Sequence, residues 1–171
     1  DELNAGGNEA LAVNQLRRTL RGIANIKDSI QCITIITESG DIIFYDKPTA
    51  SSIKNSWLDT MNLTPEELYD KISNENSTQY ITTRYASSFS AKPYYLFHLA
   101  HRIVDYNSIH RQLGVIIISI DERLLHEVCN QNSVDGDDTL PGNVNFIVDD
   151  EGRLVTFPVQ RSIENTVLPI P

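Results

Sequence analysis

The chain has 171 residues, a formal net charge of −9, 40% apolar and 22% charged side chains. That balance is the composition of a folded globular domain, not a disordered segment, and the length suits one domain of common size plus a remnant. The negative charge argues against a nucleic-acid surface, which needs clustered Lys and Arg, and the densest basic group, Arg17, Arg18 and Arg21, fits the solvated face of a helix.

Residues 8–29 predict an amphipathic helix. Val13, Leu16, Leu20, Ile23 and Ile30 recur at helical spacing, while the three arginines fall elsewhere. Residues 32–45, Cys-Ile-Thr-Ile-Ile-Thr-Glu-Ser-Gly-Asp-Ile-Ile-Phe-Tyr, then predict a β-hairpin whose turn is closed by Gly40, a residue that adopts positive φ without a Cβ clash. Ile33, Ile35 and Ile36 leave little polar alternation, as expected of a strand covered on both faces.

A loop and short helix containing Trp57 occupy residues 46–63. Thr64, Pro65 and Glu67 supply the N-cap, first-turn proline and capping-box acid of a helix reaching Asn74, with Leu68, Ile72 and Tyr69 turned inward. Residues 78–87, 93–104 and 111–120 predict three strands rich in Thr, Tyr, Ile and Phe. Gly114-Val-Ile-Ile-Ile-Ser-Ile-Asp121 is the most apolar stretch, too short for a bilayer and suited to a sheet centre. Asp121 caps a further helix that aligns Leu124, Leu125 and Val128, and residues 130–142 are a polar linker without periodicity.

Residues 144–157, Val-Asn-Phe-Ile-Val-Asp-Asp-Glu-Gly-Arg-Leu-Val-Thr-Phe, repeat the pattern of the first hairpin, with Gly152 in the place of Gly40. Too little follows to bury a core, so the chain reads as an excerpt of a longer protein. The expectation is an α+β domain: five antiparallel strands with helices on the faces, residues 1–30 a long helix, 31–130 the sheet domain, 131–142 a linker and 143–171 the truncated start of a second module. Two cysteines, Cys32 and Cys129, fall in apolar segments and are expected to be buried thiols, a disulfide being the alternative in an oxidising compartment.

No enzyme motif is present: no Gly-x-Ser-x-Gly elbow, phosphate-binding glycine loop or His-Glu-x-x-His. The fragment is therefore read as non-catalytic, with no cofactor. His98 and His101, three apart on a strand, point to opposite faces, which is poor geometry for a shared metal. His126 and Cys129 could share one across a helical turn, but with no third ligand nearby packing is favoured, and no metal is expected. Asp135-Gly-Asp-Asp138 lacks the alternating oxygens of a calcium loop.

A cluster of aromatic and polar residues is the candidate ligand site: Trp57, Tyr69, Arg84, Tyr85, Tyr95, Phe97 and His98, with Tyr94 beside them. Aromatic faces with a few hydrogen-bonding groups suit a small polar ligand. Strand alternation sends half of such a set to the opposite face, and Arg84 has solvent as its alternative.

The hairpin at 32–45, the stretch Leu113–Leu125 and the renewed hairpin Phe146–Val155 together resemble the Cache group of PAS-like sensor domains, closest in tone to the extracellular region of YesM-type sensor histidine kinases. The resemblance covers most of residues 8–157. It implies a PAS-like five-stranded antiparallel sheet in a membrane-distal module, followed by the start of a membrane-proximal one. It also implies an extracytoplasmic, ligand-sensing domain of a membrane-anchored bacterial receptor. A homodimer through the N-terminal helix is expected as well. A chemoreceptor, a cyclic-dinucleotide enzyme or a scaffolding module without a ligand are the alternatives. The resemblance has one informative departure. Double-Cache domains that bind amino acids carry an Asp for the ligand ammonium four residues before the acid that opens the last helix, and here that position is Ile117. Their Arg-x-Trp pattern is also missing, since Lys54-Asn-Ser precedes Trp57. Loss of such an ion pair costs about 2–5 kcal/mol in a desolvated pocket, so the expected ligand is neutral or weakly charged, a saccharide or an organic acid held by Arg84.

Overall fold

Gly40 at φ 85° closes the turn between strands β1 (Ile30–Thr37) and β2 (Ile42–Asp46), in the left-handed region where any other side chain is strained. Thr37, Ser39 and Asp41 bond to one another across that turn: the Asp41 N–H donates to the Thr37 hydroxyl and the Ser39 hydroxyl to the Asp41 carboxylate. The computed structural model describes residues 2–47, 57–58, 63–85, 95–131, 146–148, 152 and 154–156. Of these, the side chains of 2–8, 82–85, 109–110, 126, 130–131 and 154 lie outside the description.

Helix α1 (Glu2–Ala24) precedes β1. It stops short of the expected residue 29 because its last turn tightens, Ile26 N–H bonding to the Ile23 carbonyl, and the chain then reverses into the sheet. The line it buries is Leu16, Leu20 and Ala24, spaced by four, packed on Ile33. Ile23, expected inside, is 41% exposed, because at 100° per residue it has rotated off that line. Ile26 and Leu11 are more exposed still.

Helix α2 (Pro65–Ser73) has the capping box read from its sequence: the Glu67 N–H donates to the Thr64 hydroxyl, and the Thr64 N–H to the Glu67 carboxylate. Strands β3 (Gln79–Tyr85), β4 (Tyr95–Asp105) and β5 (Ser108–Asp121) follow, then helix α3 (Arg123–Gln131). The β4–β5 hairpin is longer than its sequence suggests. Tyr106 and Asn107 form the turn, with the Asn107 N–H on the Asp105 carboxylate, and register shifts at Ile103–Asp105 absorb the irregular polar stretch that follows.

The five strands form one antiparallel sheet in the order β2-β1-β5-β4-β3. The most apolar strand, β5, is central, as its composition requires. Gly114 lies where β5 crosses closest to β1: a Cβ there would sit 2.6 Å from the Ile36 carbonyl oxygen. One face carries Ile33, Ile35, Ile43, Tyr45 and Ile116 under α1. The other carries Cys32, Ile36, Leu96, Ala100, Val115 and Ile117 under α2 and Trp57. A separate antiparallel pair, β6 (Ile147–Val148) and β7 (Leu154–Thr156), has Gly152 at φ 75° between its strands. It realises the second hairpin over a shorter span than residues 144–157. Most of the expected linker, and residues 48–56 and 59–62 of the Trp57 loop, lie outside the described residues.

Candidate functional site

The sheet face beneath α2 holds the densest set of buried polar groups. Register places Ile81, His98, Ser119, Cys32 and Asp46 in one row across the five strands, each directly opposite its neighbour. His98, Ser119, Cys32 and Asp46 are fully buried. The next row includes Ala100, Ile117, Thr34 and Phe44, all buried. Such rows exist because every second residue of each strand shares a face; that one is polar and the next largely apolar is set by the residues themselves.

Trp57 seats on this face. It is fully buried, and its ring centroid lies 4.1 Å from that of His98 at a 34° tilt. His98 Nδ1 and the Ser119 hydroxyl are 2.9 Å apart, and the Cys32 sulfur lies 3.5 Å from the Thr34 hydroxyl. Burial pushes the Cys32 thiol up to about 12, and the Asp46 carboxylate adds to the rise, while hydrogen bonds from Thr34, Trp57 and Ser119 oppose it. A thiol held neutral in this way is a packing group and weak hydrogen-bond donor, not a nucleophile. Cys129, buried and not in a disulfide, is raised by burial and by the Glu122 charge.

The expected site residues divide by strand parity. His98 shares the α2 side with Trp57, and Tyr69, half-buried on α2, packs at the edge of the same cluster. The Tyr69 phenol is raised by partial burial and by the Glu38 and Asp70 carboxylates. Phe97 and Tyr95 alternate with Leu96 and His98 and so fall on the opposite face, where the Phe97 ring meets Tyr80 at 6.1 Å. The Arg84 and Tyr85 side chains, like Tyr94, lie outside the described residues; their backbones pair with Leu96 and Tyr95. Sequence reasoning did not include Ser119, Thr34 or Asp46, because only the register shows that they share a face with Trp57.

Ile117 stands on the α2-covered face, fully buried among Leu68, Ile72, Trp57 and Val115. No titratable group replaces it at that point. The buried carboxylates on this side belong to strand ends: Asp46 ends β2, and Asp121 ends β5, where it accepts the Arg123 N–H and pairs with the Arg123 guanidinium. Among the described residues no group of three His, Cys, Asp or Glu side chains is placed to hold a metal ion. No helix among them is long and apolar enough to cross a membrane.

No family model matches the chain, and comparison with curated proteins finds no match. Among solved structures it is similar to the ligand-binding domain of the amino-acid chemoreceptor PctC of Pseudomonas aeruginosa PAO1, in complex with GABA. The likeness spans 92% of this chain and 76% of that one, with a TM-score of 0.51 and 11% identity. It is a likeness of fold: α+β, with an N-terminal helix and a five-stranded antiparallel sheet, as in a sensor ligand-binding domain.

Proposed function

We propose that this chain is a small-ligand-sensing domain on the extracytoplasmic face of a bacterial cell membrane, part of a membrane-anchored receptor whose output is a histidine kinase. The observation that carries the reading is a sensor-type fold with one sheet face on which a buried tryptophan stacks over a polar row. Trp57, Tyr69, His98 and Ser119 are the groups we assign to ligand recognition, with Arg84 from β3 as the cation for an acidic ligand. Ligand would enter between that face and the elements covering it, shift the sheet against α1, and change the balance between two receptor states. The β6–β7 pair would open a second module of the same plan.

The ligand we infer is neutral or weakly charged, a saccharide or organic acid. The similar domain is in complex with GABA, but at Ile117 this chain offers only an apolar wall, and the buried carboxylates of the same face, Asp46 and Asp121, stand at strand ends away from it. A homodimer through α1 is supported by the exposed apolar residues Leu11 and Ile23 on the helix and Ile26 in the turn just beyond its end. Ile26→Glu should halve the mass measured by light scattering; an unchanged mass would remove this interface.

A second reading, supported by the same fold likeness, is a chemoreceptor ectodomain. Both readings require a small ligand, whereas a scaffolding module does not. A thermal-shift screen separates them from scaffolding: ligand at a hundred times its dissociation constant adds about 2.7 kcal/mol, and a panel without effect favours scaffolding. A crosslinking scan along residues 8–29 of the full-length receptor should then show ligand-dependent change.

A further inference from the structure

The end of β5 is tied to more of the chain than any ligand-facing role requires. The Asp121 N–H donates to the Ser29 carbonyl at 2.9 Å, linking it to the connection between α1 and β1. The Glu122 N–H donates to the Tyr95 carbonyl at 3.1 Å, at the start of β4, and the Glu122 carbonyl accepts from Leu125 in α3. The Glu122 side chain then leaves the sheet: its carboxylate accepts the hydroxyl proton of Thr156, in β7. Thr156 and Val155 are buried, and β7 lies beside β3. The Glu122 charge also reaches the Cys129 thiol of α3. The Asp121–Glu122 junction therefore stands where the α1–β1 connection, β4 and α3 converge, and the half-buried Glu122 carboxylate extends it to the second hairpin.

We propose that Glu122 and Thr156 form a latch that docks the β6–β7 hairpin onto the five-stranded sheet, so that movement of the β5–α3 junction sets whether the hairpin is held or released. A charge-assisted hydrogen bond suits this role, since its strength depends on a geometry that a small shift of the junction removes. The route differs from transmission through α1 and exists with or without a ligand, so its failure leaves the sensing reading standing.

The test is amide hydrogen exchange by mass spectrometry on the whole chain, without ligand. Thr156→Val keeps the shape and removes the hydroxyl; Thr156→Ser keeps the hydroxyl. The latch predicts that Thr156→Val speeds exchange in residues 146–156 at least tenfold while β1 and β5 keep their protection, and that Thr156→Ser stays within about threefold of the unmodified chain. Adding Thr156→Val to Glu122→Ala should speed the hairpin no further, because the hydroxyl has already lost its acceptor. If Thr156→Val loosens every strand alike, Glu122→Ala alone decides, since it cuts the contact from its half-buried side. Loosening confined to 146–156 supports the latch. Unchanged exchange in that variant, equal effects of Val and Ser at position 156, or additive effects in the double variant would overturn it.

Discussion

Replacing Ile117 by Asp puts the missing carboxylate where a receptor for amino acids would need one, and the structure sets what that costs. Ile117 is fully buried, between Thr34 and Ala100 in register and under Leu68 and Ile72. Removing the isoleucine forfeits roughly 2–3 kcal/mol of burial. The new carboxyl has no cation opposite it, and buried carboxyls of this kind reach a pKa of about 8–9. It would fold protonated at neutral pH, whereas the unfolded chain ionises near 3.9. Stability is therefore lost as pH rises above the unfolded value, at about 1.4 kcal/mol per unit up to the folded pKa. Between pH 4 and 7 that is roughly 4 kcal/mol, and with the lost burial it consumes much of the 5–15 kcal/mol that holds a domain folded. Urea denaturation at pH 4.5, 6 and 7.5 would show Ile117→Asp falling steeply relative to the unmodified chain. Ile117→Asn would be destabilised without that dependence. A flat difference between Asp and Ile across this range would mean that position 117 reaches water or a cation, and the argument against an amino-ligand would fail.

Gly114→Ala should lower stability by about 1–3 kcal/mol, because the added Cβ meets the Ile36 carbonyl oxygen at 2.6 Å and a backbone atom cannot swing aside; an unchanged or raised melting temperature would contradict the close approach. Thr64→Ala removes one half of the capping box at α2 and should cost about 1 kcal/mol, or roughly 2–4 °C in a chain of this size, with Thr64→Ser restoring it. The Cys32 thiol is raised from 9.0 to about 12 in the folded chain, so its contribution is intact below pH 9 and is lost as pH rises from 9 towards 12. Cys32→Ala should flatten that part of the alkaline unfolding curve, and the unmodified thiol should resist alkylation at pH 8 until the chain unfolds.

Local chemistry made much of the fold legible. Gly40 and Gly152 both take the positive φ that an acidic turn before a strand implied, and Thr64 and Glu67 form the box their spacing required. The apolar run from Gly114 to Ile120 occupies the sheet centre. Legibility ended where geometry depends on a partner. Ile23 satisfies the apolar spacing as well as Ala24 does, yet only the position of Ile33 decides which of them is covered. Phe97 and His98 are both plausible pocket residues in a row of aromatics. Their separation to opposite faces depends on the parity of β4, which no single-strand pattern reveals when both faces are buried. Ser119 and Asp46 share the face of Trp57 for the same reason, since residues two strands apart in the sheet fall into one row only through register.

Isothermal calorimetry of the unmodified chain against the twenty amino acids, GABA, and panels of mono- and disaccharides and small organic acids tests the sensing account most directly. Heat of binding is expected from a saccharide or an organic acid, abolished by Trp57→Ala in a chain that remains folded, and no amino acid should bind in the micromolar range. A micromolar amino acid or GABA would contradict the account, because its ammonium would then be met on a face where Ile117 holds the place of the carboxylate.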